Sequence, residues 1–283
     1  MQKQEQLSPI LPPINFKTAF EELNNKHELL ACGIEKIDSI LKLTLGDRLA
    51  VVGNRKYTQI FVTRVYVNAL LLSLPSSKKR MNEQERSRFF YTSNVILVDA
   101  GNSCDFHQYV NFAGQYYRRD VISRVLNSII ITRVFIIYQL ANILINELPR
   151  VIQHYDAKMI VVSDLLNMFV RDPQIEANKA TYLINEIVNS ITKSRALEDV
   201  LVIMSFPFVD SAYNHNDKPA ILYNKTIIPR FDKCIEIMNG KDNENRNKMI
   251  DIKIRNNSRS DFHNDNLISI NKRDLTTVSA PAE

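Results

Sequence analysis

Residues 48–61 read RLAVVGNRKYTQIF, and this stretch decides the fold because it joins two apolar segments through a short polar loop. The first segment ends at Gly53 and predicts a buried strand. The second begins near Thr58, continues to Pro75 and predicts a long helix. A buried strand that leads into a helix is the building unit of an α/β protein.

The rest of the chain repeats this alternation. Further buried strands are predicted at residues 94–100, 128–135, 158–166 and 200–206, and helices at 33–43, 105–117, 138–155 and 177–197. Strands that are apolar throughout, with helices between them, indicate a mostly parallel sheet that is covered on both faces.

The C-terminal part changes to a pattern with a period of two residues. Residues 233–240 and 248–257 predict an antiparallel β-hairpin at the sheet edge, and residues 266–270 predict a last strand. The predicted organisation is a flexible leader and linker over 1–30, a core domain over 31–271 and a disordered tail over 272–283.

The composition is that of a globular chain with a sizeable core, and its length fits one large domain or two small ones. A net charge of +5 permits nucleic-acid binding without requiring it.

Cys32, Cys104 and Cys234 form no C-x-x-C pair, so neither a zinc site nor a disulfide framework is supported. The N-terminus lacks a signal core, and the most apolar stretch, residues 125–145, carries Arg133, which argues against a membrane span. We predict a cytoplasmic protein.

Four stretches occur in an order that points to a known family. They are residues 16–41, NVILVDAGNSCDF (94–106), VLNSIIITRVFIIYQLANIL (125–144) and AKMIVVSDLLNMFVRD (157–172). Together they resemble the core of the RecA/RadA strand-exchange recombinases, most closely the archaeal RadA type. The first stretch is similar to the RadA linker and its lead-in, and the second to the strand after the P-loop helix. The third is similar to the N-I-x-x-A-R-A segment of the family. The fourth is similar to the Walker B strand and the start of the first DNA-binding loop. The resemblance spans Phe16 to Ile270 and implies a RecA-like P-loop NTPase core.

The phosphate-binding loop that this resemblance implies is degenerate. A Walker A motif, G-x-x-x-x-G-K-[ST], wraps backbone N–H groups around the phosphates, and its lysine reaches their oxygens. Here Gly53 and Thr58 are five residues apart, the second glycine is missing and Lys56 is displaced by one position, because Tyr57 directly precedes Thr58. Lys56 can reach a phosphate only from an altered backbone.

Three further positions depart from the family pattern. The catalytic glutamate falls at Gly101, which can do no acid–base chemistry, and the polar sensor is met by Phe206 and Pro207. The Walker B aspartate falls at Ser163, with Asp164 one residue later. One step along a strand reverses the side chain, so Asp164 can serve the site only beyond the strand end, and a helix or loop cap is the alternative.

These departures predict weak ATP binding or none, no ATP turnover, no catalytic residue and no metal site. The vestigial nucleotide-binding residues are Gly53, Lys56, Thr58 and Asp164. ATP and magnesium are expected as cofactors only if the degenerate loop still binds.

A partner-binding motif is predicted before the core. In RadA-type recombinases an F-x-x-A tetrapeptide docks onto a neighbouring subunit, and this chain has Phe16 and Ala19 at the matching place. The implied partner is a RadA-type recombinase or another copy of the chain. The alternative is the start of an amphipathic helix that includes Phe20 and Leu23.

Two segments match the DNA-binding loops of the family. Arg171 corresponds to an arginine of the first loop, and Tyr213, Lys218 and Lys225 lie where the second loop is expected. These residues predict contacts with single-stranded DNA, and an ordinary solvated loop is the alternative.

The sequence therefore predicts a RadA-like recombinase paralogue without ATP turnover, which acts in homologous recombination and DNA repair by binding an active recombinase, single-stranded DNA or both. A divergent ATP-binding, DNA-dependent ATPase and a RecA-fold scaffold without a DNA role are the alternatives.

Overall fold

The structure is a computed structural model that describes residues 30–73, 94–102, 104–105, 107, 110–111, 114, 119–172, 174–207, 227–239, 249–256 and 266–276. The predicted partner-binding residues Phe16 and Ala19 lie outside the described residues, as do Tyr213, Lys218 and Lys225 of the second DNA loop.

Eight strands build one sheet in the described part of the chain: β1 (Arg48–Gly53), β2 (Asn94–Asp99), β3 (Ile129–Arg133), β4 (Ala157–Ser163), β5 (Leu201–Pro207), β6 (Lys233–Asn239), β7 (Met249–Asn256) and β8 (Asn266–Asn271). Their spatial order is β3-β2-β4-β5-β1-β6-β7-β8. The strands from β1 to β6 run parallel, whereas β7 pairs antiparallel with both β6 and β8. The predicted α/β class, with a mostly parallel sheet and a C-terminal antiparallel hairpin, is confirmed.

Helices cover the sheet. They are α1 (Glu35–Leu41), α2 (Arg55–Ser73), α3 (Arg119–Asn127), α4 (Ile137–Asn142), α5 (Leu148–Tyr155), α6 (Asn167–Arg171), α7 (Ala177–Lys193) and α8 (Lys272–Thr276), and a π-helical turn, Ile143–Glu147, joins α4 to α5. Among the described residues, none of these helices has both the length and the apolar character needed to cross a bilayer.

Alternate residues of each central strand enter two separate cores. Val51 packs with α1, α2 and α3 on one face, and Val52 packs with α4, α5 and α7 on the other. Both faces are therefore buried, which explains why the central strands are apolar throughout.

The chain reverses direction across the sheet. From β1 it moves through α2 to β2 and through α3 to β3, and the later crossovers return on the opposite face through α4, α5 and α7. In doubly wound sheets, such a reversal opens a crevice at the carboxyl ends of the strands, where ligands bind. The register aligns those ends here, because Asp99 pairs with Ser163 and Gly53 pairs with Pro207.

Two helices of the structure differ from what the sequence predicts. The prediction that the chain is disordered from Lys272 fails for residues 272–276, which form α8. Leu275 of this helix is buried in the core that contains α1, α2 and α3. Arg64 of α2 donates hydrogen bonds to the carbonyls of Asp274 and Leu275. Helix α3, which the sequence analysis did not predict, precedes β3 and buries Val125.

Candidate functional site

The carboxyl ends of β1, β2, β4 and β5 meet beneath the first turns of α2, and we call this region the carboxyl edge. Strand alternation points Asp99, Ser163 and Ser205 toward α2, because each lies two residues after a strand residue of the core that contains α2. A small cavity lies there, and its lining residues are Arg55, Thr58, Gln59, Val62, Thr63, Tyr66, Leu97, Cys104, Val161, Ser163, Asp164 and Ser205.

The cavity is too small for a nucleotide. Its volume is about 20 Å³. A space of that size holds roughly one water molecule. A triphosphate does not fit in that volume.

The loop after β1 is a helix cap and not a phosphate cradle. Gly53 has a φ of +136° and approaches β6 so closely that a side chain there would overlap the Ile237 carbonyl oxygen. Helix α2 begins only two residues later, at Arg55. Asn54 caps it, because its side-chain oxygen accepts from the Lys56 N–H at 3.0 Å and its carbonyl accepts from the Thr58 N–H at 2.9 Å. The helix itself thus uses two N–H groups that a cradle would offer to phosphate.

The predicted nucleotide-binding side chains on α2 diverge. Lys56 is exposed and does not line the cavity. Thr58 is buried and lines it, and its hydroxyl donates to the Arg55 carbonyl at 3.0 Å. Tyr57 is half-buried, with the Lys272 ammonium 5.8 Å from its ring centre.

Asp164 lies just past the end of β4 and turns into the cavity. It has a left-handed backbone, with a φ of +56°, and its N–H donates to the Ser205 hydroxyl at 2.8 Å. In a regular strand, the residue after Ser163 would point to the opposite face of the sheet. The left-handed backbone of Asp164 prevents this, so its side chain lines the same cavity as Thr58. Its carbonyl also accepts from the Asn167 N–H at 3.1 Å, so the residue initiates the turn before α6 as well.

Arg55 is the residue that the sequence analysis missed. Its Nε lies 3.1 Å from Asp164 Oδ2, and its second guanidinium nitrogen donates to the Gly101 carbonyl at 2.8 Å. We call this set of contacts the Arg55 bridge. A signal existed in the sequence, because Arg55 and Lys56 open a helix whose first turn contains no acidic residue. The helix macrodipole disfavours cations at that end unless an anion is near.

Gly101 and Asp164 depend on each other sterically. A Cβ atom added at Gly101 would lie 2.5 Å from both Cβ and Oδ2 of Asp164. The space that a side chain at this position would need is therefore filled by Asp164. The glutamate that the family resemblance expects there cannot be restored without moving Asp164.

Asp99 holds the ends of β2 and β4 together. It is fully buried, accepts from the Ser163 hydroxyl at 3.0 Å and from the Cys104 N–H at 3.1 Å, and lies 3.8 Å from the Arg133 Nε. Ser163, at the expected Walker B position, therefore donates its hydroxyl hydrogen to Asp99 at the end of the neighbouring strand β2. Burial, and next the Asp99 carboxylate, raise the pKa of the Cys104 thiol to about 12, so the thiol is protonated at neutral pH.

Phe206, at the position of the polar sensor, points away from the cavity. Phe206 is buried in the opposite core and packs edge-on against Phe231, with ring centres 5.8 Å apart. Ser205 is the residue of β5 that faces the cavity. Arg171 ends α6, and its side chain is outside the described part of the structure.

The comparisons with known proteins add no family assignment. No protein-family model matches the sequence, and no curated protein matches it. Among the described residues, no group of three or more His, Cys, Asp or Glu side chains is placed to hold a metal ion. The fold and the carboxyl edge define an α/β protein with a doubly wound, mostly parallel sheet and a network of polar contacts at the carboxyl edge.

Proposed function

We propose that this protein is a RadA-like recombinase paralogue that does not turn over ATP and acts in homologous recombination and DNA repair by binding an active recombinase, single-stranded DNA or both. One observation carries the proposal. Thr58 of the assigned phosphate loop lines the same cavity as Ser163 and Asp164 at the assigned Walker B position, although Thr58 and Asp164 are 106 residues apart. Gly101, at the position of the catalytic glutamate, lies directly against Asp164.

The architecture is compatible with a RecA-like core. An eight-stranded sheet with helices on both faces ends in antiparallel strands at one side. The strand that leads into the degenerate loop, β1, lies inside the sheet between β5 and β6. A P-loop needs such a central parallel strand that runs into a helix.

The chemistry of the carboxyl edge supports the absence of ATP turnover. Phosphoryl transfer requires a loop that holds the phosphates, a metal ion and a residue that orients the attacking water. In this chain Asn54 caps the helix, Gly101 has no side chain and Asp164 is held by Arg55. Three separate requirements therefore fail at one place.

The open edge of the sheet supports recombinase binding. In the described part of the structure, β3 pairs with β2 on one side and with no strand on the other. An extended segment can add to such an edge through backbone hydrogen bonds. The F-x-x-A segment of a neighbouring RadA-type protomer, or that of a second copy of this chain, is suited to this mode of binding.

Co-purification with the host RadA-type recombinase tests the proposal. Phe16→Glu should abolish the interaction, because a carboxylate cannot enter an apolar pocket. Phe20→Glu is the matched control, since it makes the same change outside the tetrapeptide. Loss of binding in Phe16→Glu alone supports the motif, whereas equal loss in both variants indicates the amphipathic helix. Full binding by Phe16→Glu would overturn the motif, and no binding by the unmodified chain would overturn the recombinase partner.

A further inference from the structure

The Arg55 bridge joins three elements of the carboxyl edge. It connects the first turn of α2 to the Asp164 carboxylate after β4 and to the Gly101 carbonyl after β2. The Asp164 side chain is only 7% exposed, whereas that of Arg55 is 42% exposed. The guanidinium therefore reaches from the surface onto a nearly buried carboxylate.

A P-loop NTPase places a metal ion at the corresponding point. Its magnesium is held by the hydroxyl of the P-loop Ser or Thr and by an aspartate at the end of a neighbouring strand. Thr58 and Asp164 line one cavity here, and Arg55, one turn before Thr58 on α2, reaches across to Asp164. A guanidinium is a permanent cation with planar donors, so it can bind a carboxylate and a carbonyl together.

We propose that Arg55 is a built-in cation that takes the place of a divalent metal ion at the carboxyl edge. It fixes the ends of β2 and β4 against α2, so this edge keeps one arrangement whether or not nucleotide is present. The inference rests on the P-loop correspondence used in the proposed function, but it does not depend on a recombinase partner.

Charge explains why the bridge is maintained. A cation in the first turn of a helix is opposed by the macrodipole, so Arg55 needs a nearby anion. A nearly buried carboxylate likewise needs a cation. Removal of Arg55 would leave the Asp164 carboxylate beside the cavity with no bridge to α2, and a small divalent cation could then bind at that carboxylate.

Thermal unfolding with and without Mn²⁺ tests this inference. Arg55→Ala should lower Tm by about 3–6 °C. Added MnCl₂ should raise the Tm of Arg55→Ala and leave that of the unmodified protein unchanged. Lys56→Ala is the matched control, because it removes one cation from the same helix turn without touching the cavity, and it should show neither effect. Arg55→Ala/Asp164→Asn should lose the Mn²⁺ response.

Electron paramagnetic resonance of free Mn²⁺ provides a second measurement that does not depend on stability. Arg55→Ala should bind the ion, and Arg55→Gln serves in its place if the alanine variant does not fold. The inference is overturned if neither variant binds Mn²⁺ more tightly than Lys56→Ala, or if Asp164→Asn leaves that binding intact. Because no recombinase is present, this failure is distinguishable from a failure of the proposed function.

Discussion

Arg64 of α2 is a buried arginine whose guanidinium donates to backbone carbonyls on two sides. It binds the Cys32 and Gly33 carbonyls, each at 2.8 Å, and those of Asp274 and Leu275 at 2.5 and 3.1 Å. These acceptors belong to the segment before α1 and to α8. One side chain therefore attaches both ends of the described chain to α2.

Arg64→Met should lower the free energy of unfolding by about 3 kcal/mol, because several buried carbonyls lose their donor while the volume is nearly kept. Urea denaturation measures the change. Arg195→Met is the control, since Arg195 is exposed in a short turn, and its effect should stay within about 0.5 kcal/mol. Equal effects of the two substitutions would contradict a structural role for Arg64.

Cys104 gives the stability a dependence on alkaline pH. Its pKa is raised from 9.0 to about 12 in the folded protein, mainly by burial. Between these values the unfolded chain releases the thiol proton and the folded chain retains it, so this contribution to stability is present below pH 9 and falls as pH rises toward 12.

Cys104→Ser should therefore make the loss of stability between pH 8 and pH 10 smaller than in the unmodified protein, as measured by urea denaturation at each pH. Cys104 of the native protein should also react slowly with iodoacetamide at pH 8, because only the thiolate is nucleophilic. Fast alkylation at that pH, or an unchanged pH profile in Cys104→Ser, would show that the thiol is not perturbed in this way.

At the scale of elements, the ends of β2 and β4 are fitted to each other through Gly101 and Asp164. Gly101→Ala should cost about 2–3 kcal/mol, because the new methyl group would overlap the Asp164 side chain. Asp164→Gly removes that side chain and suits the left-handed backbone. In the Asp164→Gly background, Gly101→Ala should therefore cost little, and additive effects in a double-mutant cycle would exclude this steric coupling.

The regular part of this architecture could be predicted because its signals are local. The strands β1, β2, β4 and β5 are apolar on both faces, and β6 and β7 alternate with a period of two residues. Helix α8 could not be predicted, because it is stabilised by contacts of Leu275 and Arg64 that join residues about 200 positions apart.

The carboxyl edge was predictable only in part. The sequence located Thr58 and left open whether Asp164 reaches the site, since that depends on where β4 ends and on a left-handed residue. Arg55 and Asp164 are 109 positions apart, and the sequence around either residue does not identify the other as its partner. The cation in the first turn of α2 indicates that an anion is needed but does not identify it.

At the scale of the whole molecule, a net charge of +5 and the predicted DNA-contacting residues suggest weak binding of single-stranded DNA. Fluorescence anisotropy should show affinity that falls steeply with salt and does not depend on sequence. Lys218→Ala should reduce the slope of log K against log salt by about 0.7, because one phosphate contact is lost. Lys36→Ala, on the exposed surface of α1, is the control and should not change the slope. No detectable binding at low salt would favour a scaffold without a DNA role.

The central claim is that a recombinase-type core is retained while its nucleotide site has closed. Isothermal titration calorimetry with magnesium-ATP, together with a phosphate-release assay, tests it most directly. We predict no micromolar binding and no turnover, because Asn54 caps the helix and Arg55 holds Asp164. Micromolar affinity for ATP, or turnover that Lys56→Ala abolishes, would contradict the claim.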